Sequence, residues 1–426
     1  MSIRAGSAGI GGREILINRE RLNTIFDETI KWCLYAIVFA APFSKSIAEI
    51  GITLAIVAWA ARKILNRDLN PAKIELGIAL AVFVIAILPS FFNTAYFYLS
   101  IKAFFTKVLK YVFLCVVMTD ALKTKERIKD LLVVAFLSIA LITFDGYVQH
   151  YTTGYDLLHN YPSFSMRTSF STEGFFRGYP TASFPYPNDL AAWILLMLLP
   201  LACVTLFDMK RSGVRYLTGL VSAALFYLFF LAKARGAWIG LGISMLYIAF
   251  SKRKLWVVFL LVLVLSASII VKTEMTRAIF ATGSLGDRIS MLGTSWQIFA
   301  AHPIIGNGLN TFFVNFKRQR NDEWKDKKGS YAHNCYLQMA ADTGIVGLAG
   351  FLLLIISYFR AVIKSVKTVK DEFFRTALWG ISIGVFAFLV HSFFDTNLYS
   401  LNLVTLFWFA IGTSLAIIKV SRAEGL

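Results

Sequence analysis

The feature that most constrains this chain is a succession of apolar runs, each near the length of a membrane span, separated by polar connections. They lie at about 29–43, 46–65, 74–92, 98–118, 128–150, 187–207, 216–232, 237–250, 255–271, 338–360, 376–394 and 400–418. An α-helix rises 1.5 Å per residue, so about twenty residues cross the ~30 Å hydrocarbon core of a bilayer. An all-α integral membrane protein of about twelve transmembrane helices is expected. The run at 98–118 is the least apolar, with Lys102, Lys107 and Lys110 along it, and 237–250 is short. Composition agrees: 57% of the 426 residues are hydrophobic and 16% charged, well below the share of charge in soluble domains.

The bases divide the connections into two alternating sets. Segments 62–73, 119–129, 208–215 and 251–254 are basic, as is the connection carrying Lys364, Lys367, Lys370 and Arg375. The alternate ones are nearly bare, with Lys45 alone in the first and none in 93–97 or 395–399. Lys233 and Arg235, in the turn between the seventh and eighth runs, are the exception. By the positive-inside rule both termini are cytoplasmic, and segments 151–186 and 272–337 face away from the cytoplasm. The expected organisation is a cytoplasmic segment 1–28, nine helices over 29–271, a large outer loop 272–337, and three helices with a short tail over 338–426. The net charge of +18 then sits at anionic headgroups, so membrane lipids rather than nucleic acid are the expected polyanionic partner. No cleavable signal peptide is expected, because the first apolar run follows about thirty polar, Gly-rich and basic residues. Cys33, Cys115 and Cys203 lie in apolar runs, and with Cys335 they suggest neither a disulfide framework nor a metal site.

Most polar side chains that could do chemistry lie between Leu285 and Gly347 or in the turn Lys233–Arg235. Arg235, in KARGAW, reads either as an interfacial base that snorkels to headgroups or as a ligand for a phosphate or pyrophosphate. Arg288 opens a segment with Ile289, Leu292, Trp296 and Phe299 on one helical face; it either caps that helix with Asp287 or supplies a second anion ligand. His333 precedes an apolar span, with Asn334 beside it and Asp342 and Gly344 further along. It is either a structural donor or a base suited to neutral pH. His391 and Asp395 share a helix face and read as a hydrogen-bonded structural pair. HPIIGNG at 302–308 reads as a turn, and His150 and His159 as lone interfacial histidines. Gly236, Gly240 and Ser244 recur every four residues and predict close helix approach. There is no HExxH, Cys/His cluster, DxD pair or P-loop, so neither a metal nor another cofactor is expected.

RGAW at 235–238, the stretch from Arg288 through HPIIGNGLNTF, and AHNCYLQMAADTGIVGL at 332–348 resemble the region shared by O-antigen ligases and polymerases. The resemblance covers about 185–400. It implies a membrane glycosyltransferase of the C-type architecture, in the bacterial inner membrane with its site facing the periplasm. The implied donor is an undecaprenyl-diphosphate-linked glycan and the implied acceptor of a ligase is the lipid A core. It further implies His333 as the base that deprotonates the acceptor hydroxyl, and Arg235 and Arg288 as holders of the donor diphosphate. Lys233, Asn334 and Asp342 are expected to support them; Asp342 stands where many relatives carry Glu.

A ligase is the expected member. A polymerase shares the chemistry, and the spacings Arg167–Gly178 and Arg318–Gly329 fit an Arg-x10-Gly pattern that chance also supplies. A protein oligosaccharyltransferase is a third variant. A twelve-span transporter is the rival of another class, but it would place its polar site at mid-bilayer between related halves.

Overall fold

A computed structural model describes residues 8–68, 74–164, 178–207, 212–251, 284–319 and 331–423. The described chain is helical apart from its turns and loops and one isolated bridge between Tyr155 and Pro162. The helices are α1 (Ala8–Ala40), α2 (Lys45–Leu65), α3 (Gly77–Ile87), α4 (Phe97–Ala103), α5 (Lys110–Ala121) and α6 (Lys125–Val148). After the first outer loop come α7 (Pro187–Phe207), α8 (Ser212–Ala232) and α9 (Arg235–Ser251). Then follow α10 (Ser284–Ala301), α11 (Phe312–Gln319), α12 (Cys335–Val366), α13 (Glu372–His391) and α14 (Leu401–Ala423). Polar side chains start several of them: Ser44, Thr124 and Asp371 each accept a backbone N–H at the head of α2, α6 and α13.

Among the described residues, six helices are long and apolar enough to cross a membrane: Lys125–Thr153, Pro187–Phe207, Gly213–Ala232, Cys335–Val366, Glu372–His391 and Leu401–Ala423. The chain is therefore a helical, multi-pass membrane protein. The run expected at 255–271 lies outside the described residues, as do parts of both long loops. At 98–118 the helix runs on without a break but changes its winding. α4 gives way to a π-helical turn, Phe104–Leu109, before α5 begins. Its lysines are tied across the bundle: Lys110 is held by Glu49 of α2 at 2.5 and 2.6 Å, and Lys107 reaches Asn310 at 2.7 Å.

Close helix contacts organise the half of the bundle that matters for the site. α13 packs on α7, where Gly380 meets Pro200 and Gly384 meets the Leu195 and Leu196 carbonyls. On another side α13 receives α9, whose Gly240 lies against the Ala387 carbonyl and whose Gly236 lies against His391 and Phe394. Small residues at four-residue spacing thus bring α9 onto α13, as small-residue stripes do between membrane helices.

The turn at 302–308 is more than a connection. α12 is interrupted at Gly344, which has φ +67° and ψ −175°. Into that break the turn inserts its backbone. Ile345 N–H donates to Pro303 O at 2.8 Å and Val346 N–H to Ile304 O at 3.2 Å. In the other direction Asn307 N–H donates to Ala341 O at 3.1 Å and Gly308 N–H to Asp342 O at 2.9 Å. Backbone groups that the broken helix cannot pair internally are satisfied by the turn, so the break leaves few orphaned groups in an apolar setting. The exchange also fixes α10, which precedes the turn, against α12.

Candidate functional site

His333 sits just before α12 in the left-handed region, at φ +48°. That conformation is uncommon for a residue with a side chain and persists where surrounding contacts over-determine it. Here they do. The Ala332 N–H donates to Gln338 Oε1 at 3.3 Å, and the Cys335 N–H donates to Ser392 O at 2.9 Å. Asn334 is the helix cap, its Oδ1 accepting from the Tyr336 and Leu337 N–H groups at 3.0 and 2.9 Å. The Cys335 thiol donates to Asp395 O at 3.2 Å and accepts from the Leu398 N–H at 3.4 Å. Segment 332–335 is thereby stitched to the turn that follows α13.

That turn supplies the imidazole's partner. His333 Nδ1 lies 3.3 Å from Asp395 Oδ1, and the His333 side chain is 35% exposed while Asp395 is buried. Asp395 Oδ1 also accepts the Thr396 N–H at 2.8 Å, and Oδ2 accepts Asn188 Nδ2 at 2.6 Å from the first turn of α7. Burial alone would raise the Asp395 carboxyl. The His333 hydrogen bond, the charges of His391 and His333, and the Thr396 N–H outweigh it and hold the group at about 2. An ionised carboxylate on Nδ1 keeps the proton there and leaves Nε2 as the acceptor nitrogen. Because this carboxyl is depressed on folding, its contribution to stability is full above its unfolded value of about 4. That contribution is lost as the pH falls through about 2.

The expected His391–Asp395 hydrogen bond is not formed. α13 ends at His391, and Asp395 lies beyond it in the turn, where it is taken by His333 and Asn188. His391 is buried, with its Nδ1 unpartnered.

The arginines approach the same turn from two other helices. Arg235 is the first residue of α9, next to Gly236, which lies against His391 and Phe394. Arg288, on α10, is within electrostatic reach of His391. Both side chains are exposed, and neither carries an ion pair among the described residues. Lys233 takes a different role: its ammonium lies 5.1 Å from the centre of the Tyr179 ring, a cation–π contact, with its backbone at φ +50°. The 391–395 turn is thus a meeting point for His333, Asp395 and Asn188, with the first turn of α9, which begins at Arg235, packed against it and Arg288 within electrostatic reach of His391.

Asp342 belongs elsewhere. It lies seven residues beyond Cys335 in α12, about 10 Å along the axis at the helical rise. Its Oδ1 accepts the Thr311 and Phe312 N–H groups at 3.0 and 2.7 Å, capping α11. Its contact with the site is through the 302–308 turn. Of the Arg-x10-Gly pairs, Arg167 and Gly329 lie outside the described residues.

With this geometry in place, the comparison with known families becomes informative. Residues 220–352 match the O-antigen ligase family. The matched O-antigen ligase segment begins in α8 and ends in α12, and so contains Lys233, Arg235, Arg288, His333, Asn334 and Asp342. Asn188, His391 and Asp395 fall outside it. No curated protein matches the chain.

Proposed function

We propose that the protein is an O-antigen ligase. It would transfer a glycan from undecaprenyl diphosphate to a sugar hydroxyl of the lipid A core, at the periplasmic face of the inner membrane. The observation that carries this reading is the His333–Asp395 pair, in and beside a segment matching the family that also holds the exposed Arg235 and Arg288. The alternation of basic and bare connections supports the periplasmic side.

In the reaction the acceptor hydroxyl gives its proton to His333 Nε2 as its oxygen attacks the anomeric carbon. The bond from that carbon to the diphosphate breaks, and undecaprenyl diphosphate leaves with the electron pair. Attack opposite the leaving group inverts the anomeric centre. Arg235 and Arg288 stabilise the charge that develops on the diphosphate, which fixed guanidinium donors do without reorganising. Asp395 steadies the imidazolium, and Asn188 steadies Asp395.

Asp395→Asn is expected to lower kcat by about a hundredfold or more, since the amide no longer fixes the Nδ1–H tautomer. Donor KM should change little; an unchanged kcat would contradict the pairing. For Arg288→Ala the expected loss is about a hundredfold in kcat/KM, with Arg288→Lys recovering only part because the planar fork is gone. Full activity of Arg288→Lys would argue for a role by charge alone. Chelation should leave transfer intact, because the two arginines stand where a metal would otherwise balance the leaving group; loss of activity with chelator, restored by a divalent cation, would overturn that step.

A further inference from the structure

Away from the 391–395 turn, a cavity of about 100 Å³ lies among α3, α5, α12 and α14. Its walls are apolar, with Phe83, Phe407 and Trp408 among them, and its charged groups are Lys107 and Asp342, beside Asn310. Asp342 is 1% exposed; Oδ1 is committed to capping α11, and Oδ2 has no hydrogen-bond partner among the described residues. Lys107 gives one N–H to Asn310 and feels the Asp342 charge, but no ion pair joins the two among the described residues. Phe105 and Leu88, near Lys107 and the end of α3, are exposed, as lipid-facing side chains are in such a protein.

A buried acceptor without a donor is costly, and here it lies at the edge of a mostly apolar cavity whose polar residues, Tyr111, Asn310, Thr343 and Tyr399 among them, accompany Lys107 and Asp342. A cation with spare donors and a buried carboxyl with an unpartnered oxygen, at the polar end of an apolar slot, complement an amphiphile that carries a phosphate and a primary ammonium. We propose that this cavity takes the headgroup of a zwitterionic aminophospholipid. The phosphate accepts from Lys107, the primary ammonium donates to Asp342 Oδ2, and the chain lies along Phe83 and its neighbours. An anionic headgroup would bring a second negative charge to Asp342, and a quaternary ammonium has no N–H to donate. The bound lipid would touch Leu309 and Asn310, and so brace the turn that joins α10 to α12.

The test needs no transferase activity and stands apart from the ligase reading. Full-length protein in detergent is titrated with phosphatidylethanolamine, phosphatidylcholine, phosphatidylglycerol or undecaprenyl phosphate, and retained adducts are counted by native mass spectrometry. Phosphatidylethanolamine should be retained about tenfold better than the other phospholipids, and Lys107→Gln or Asp342→Asn should remove that preference. Lys107 is exposed, so Lys107→Gln does not threaten folding and decides the matter if Asp342→Asn loosens α11. Equal retention of the three phospholipids, an undiminished preference in Lys107→Gln, or displacement of phosphatidylethanolamine by undecaprenyl phosphate would each overturn the proposal.

Discussion

His333→Ala is expected to lower the turnover of glycan transfer by about a thousandfold, the middle of the range for removing a positioned general base. Among the described residues, the imidazole is the one group at the 391–395 turn with both an acceptor nitrogen beyond its Asp395 contact and partial exposure to an incoming hydroxyl. Donor binding, assigned to the arginines, should persist, so the loss belongs in kcat rather than KM. Because His333 occupies a left-handed position, a second variant separates chemistry from folding. Asparagine tolerates that backbone better than alanine but has no comparable base, so His333→Asn should melt with the wild type and still be inactive. Substantial turnover in His333→Asn would remove His333 from the mechanism.

Gly344→Ala is expected to have the largest effect on stability. At φ +67° and ψ −175° the backbone is in a region that essentially only glycine occupies, at a cost of about 1–3 kcal/mol for other residues. A Cβ there would also overlap the Ile304 carbonyl. The 302–308 turn would have to withdraw, and the hydrogen bonds of Ile345 and Val346 to Pro303 and Ile304 would be lost, at about 1 kcal/mol each. The sum, about 4 kcal/mol, is in the range reserved for disrupted backbone or core. Melting of the detergent-solubilised protein should drop by several degrees, and limited proteolysis should gain cuts within 302–308. A variant that melts like wild type and stays uncut would mean that the turn does not anchor α12.

The helices were legible because apolar runs of span length leave the backbone few alternatives, and each described run contains helix, though those at 29–43 and 376–394 end in turns. The lysines of the run at 98–118 were visible, although nothing local to them names Glu49 or Asn310 as the partners of Lys110 and Lys107. For the site, sequence singled out His333 and the arginines as candidates and paired Asp395 with His391 by helical spacing, whereas the structure gives Asp395 to His333. That spacing assumes a helix continuing past His391, whereas the chain turns there and carries Asp395 to a histidine 62 positions away. Asn188, 207 positions from Asp395, gave no signal at all, since no periodicity links separate helices. The broken α12 did leave one: a glycine within an otherwise helical span, downstream of a Gly-x-Gly turn. Isolated glycines in helical patterns often mark close backbone approach, but their spacing alone does not say which backbone arrives.

The most direct measurement is transfer by the purified protein in nanodiscs, supplied with an undecaprenyl-diphosphate glycan and rough lipopolysaccharide, then with donor alone. The ligase reading predicts glycan joined to the lipid A core, with undecaprenyl diphosphate released in equal amount and no product without the core. A ladder of longer donor-linked glycans, with nothing on the core, would contradict it and make the protein a polymerase.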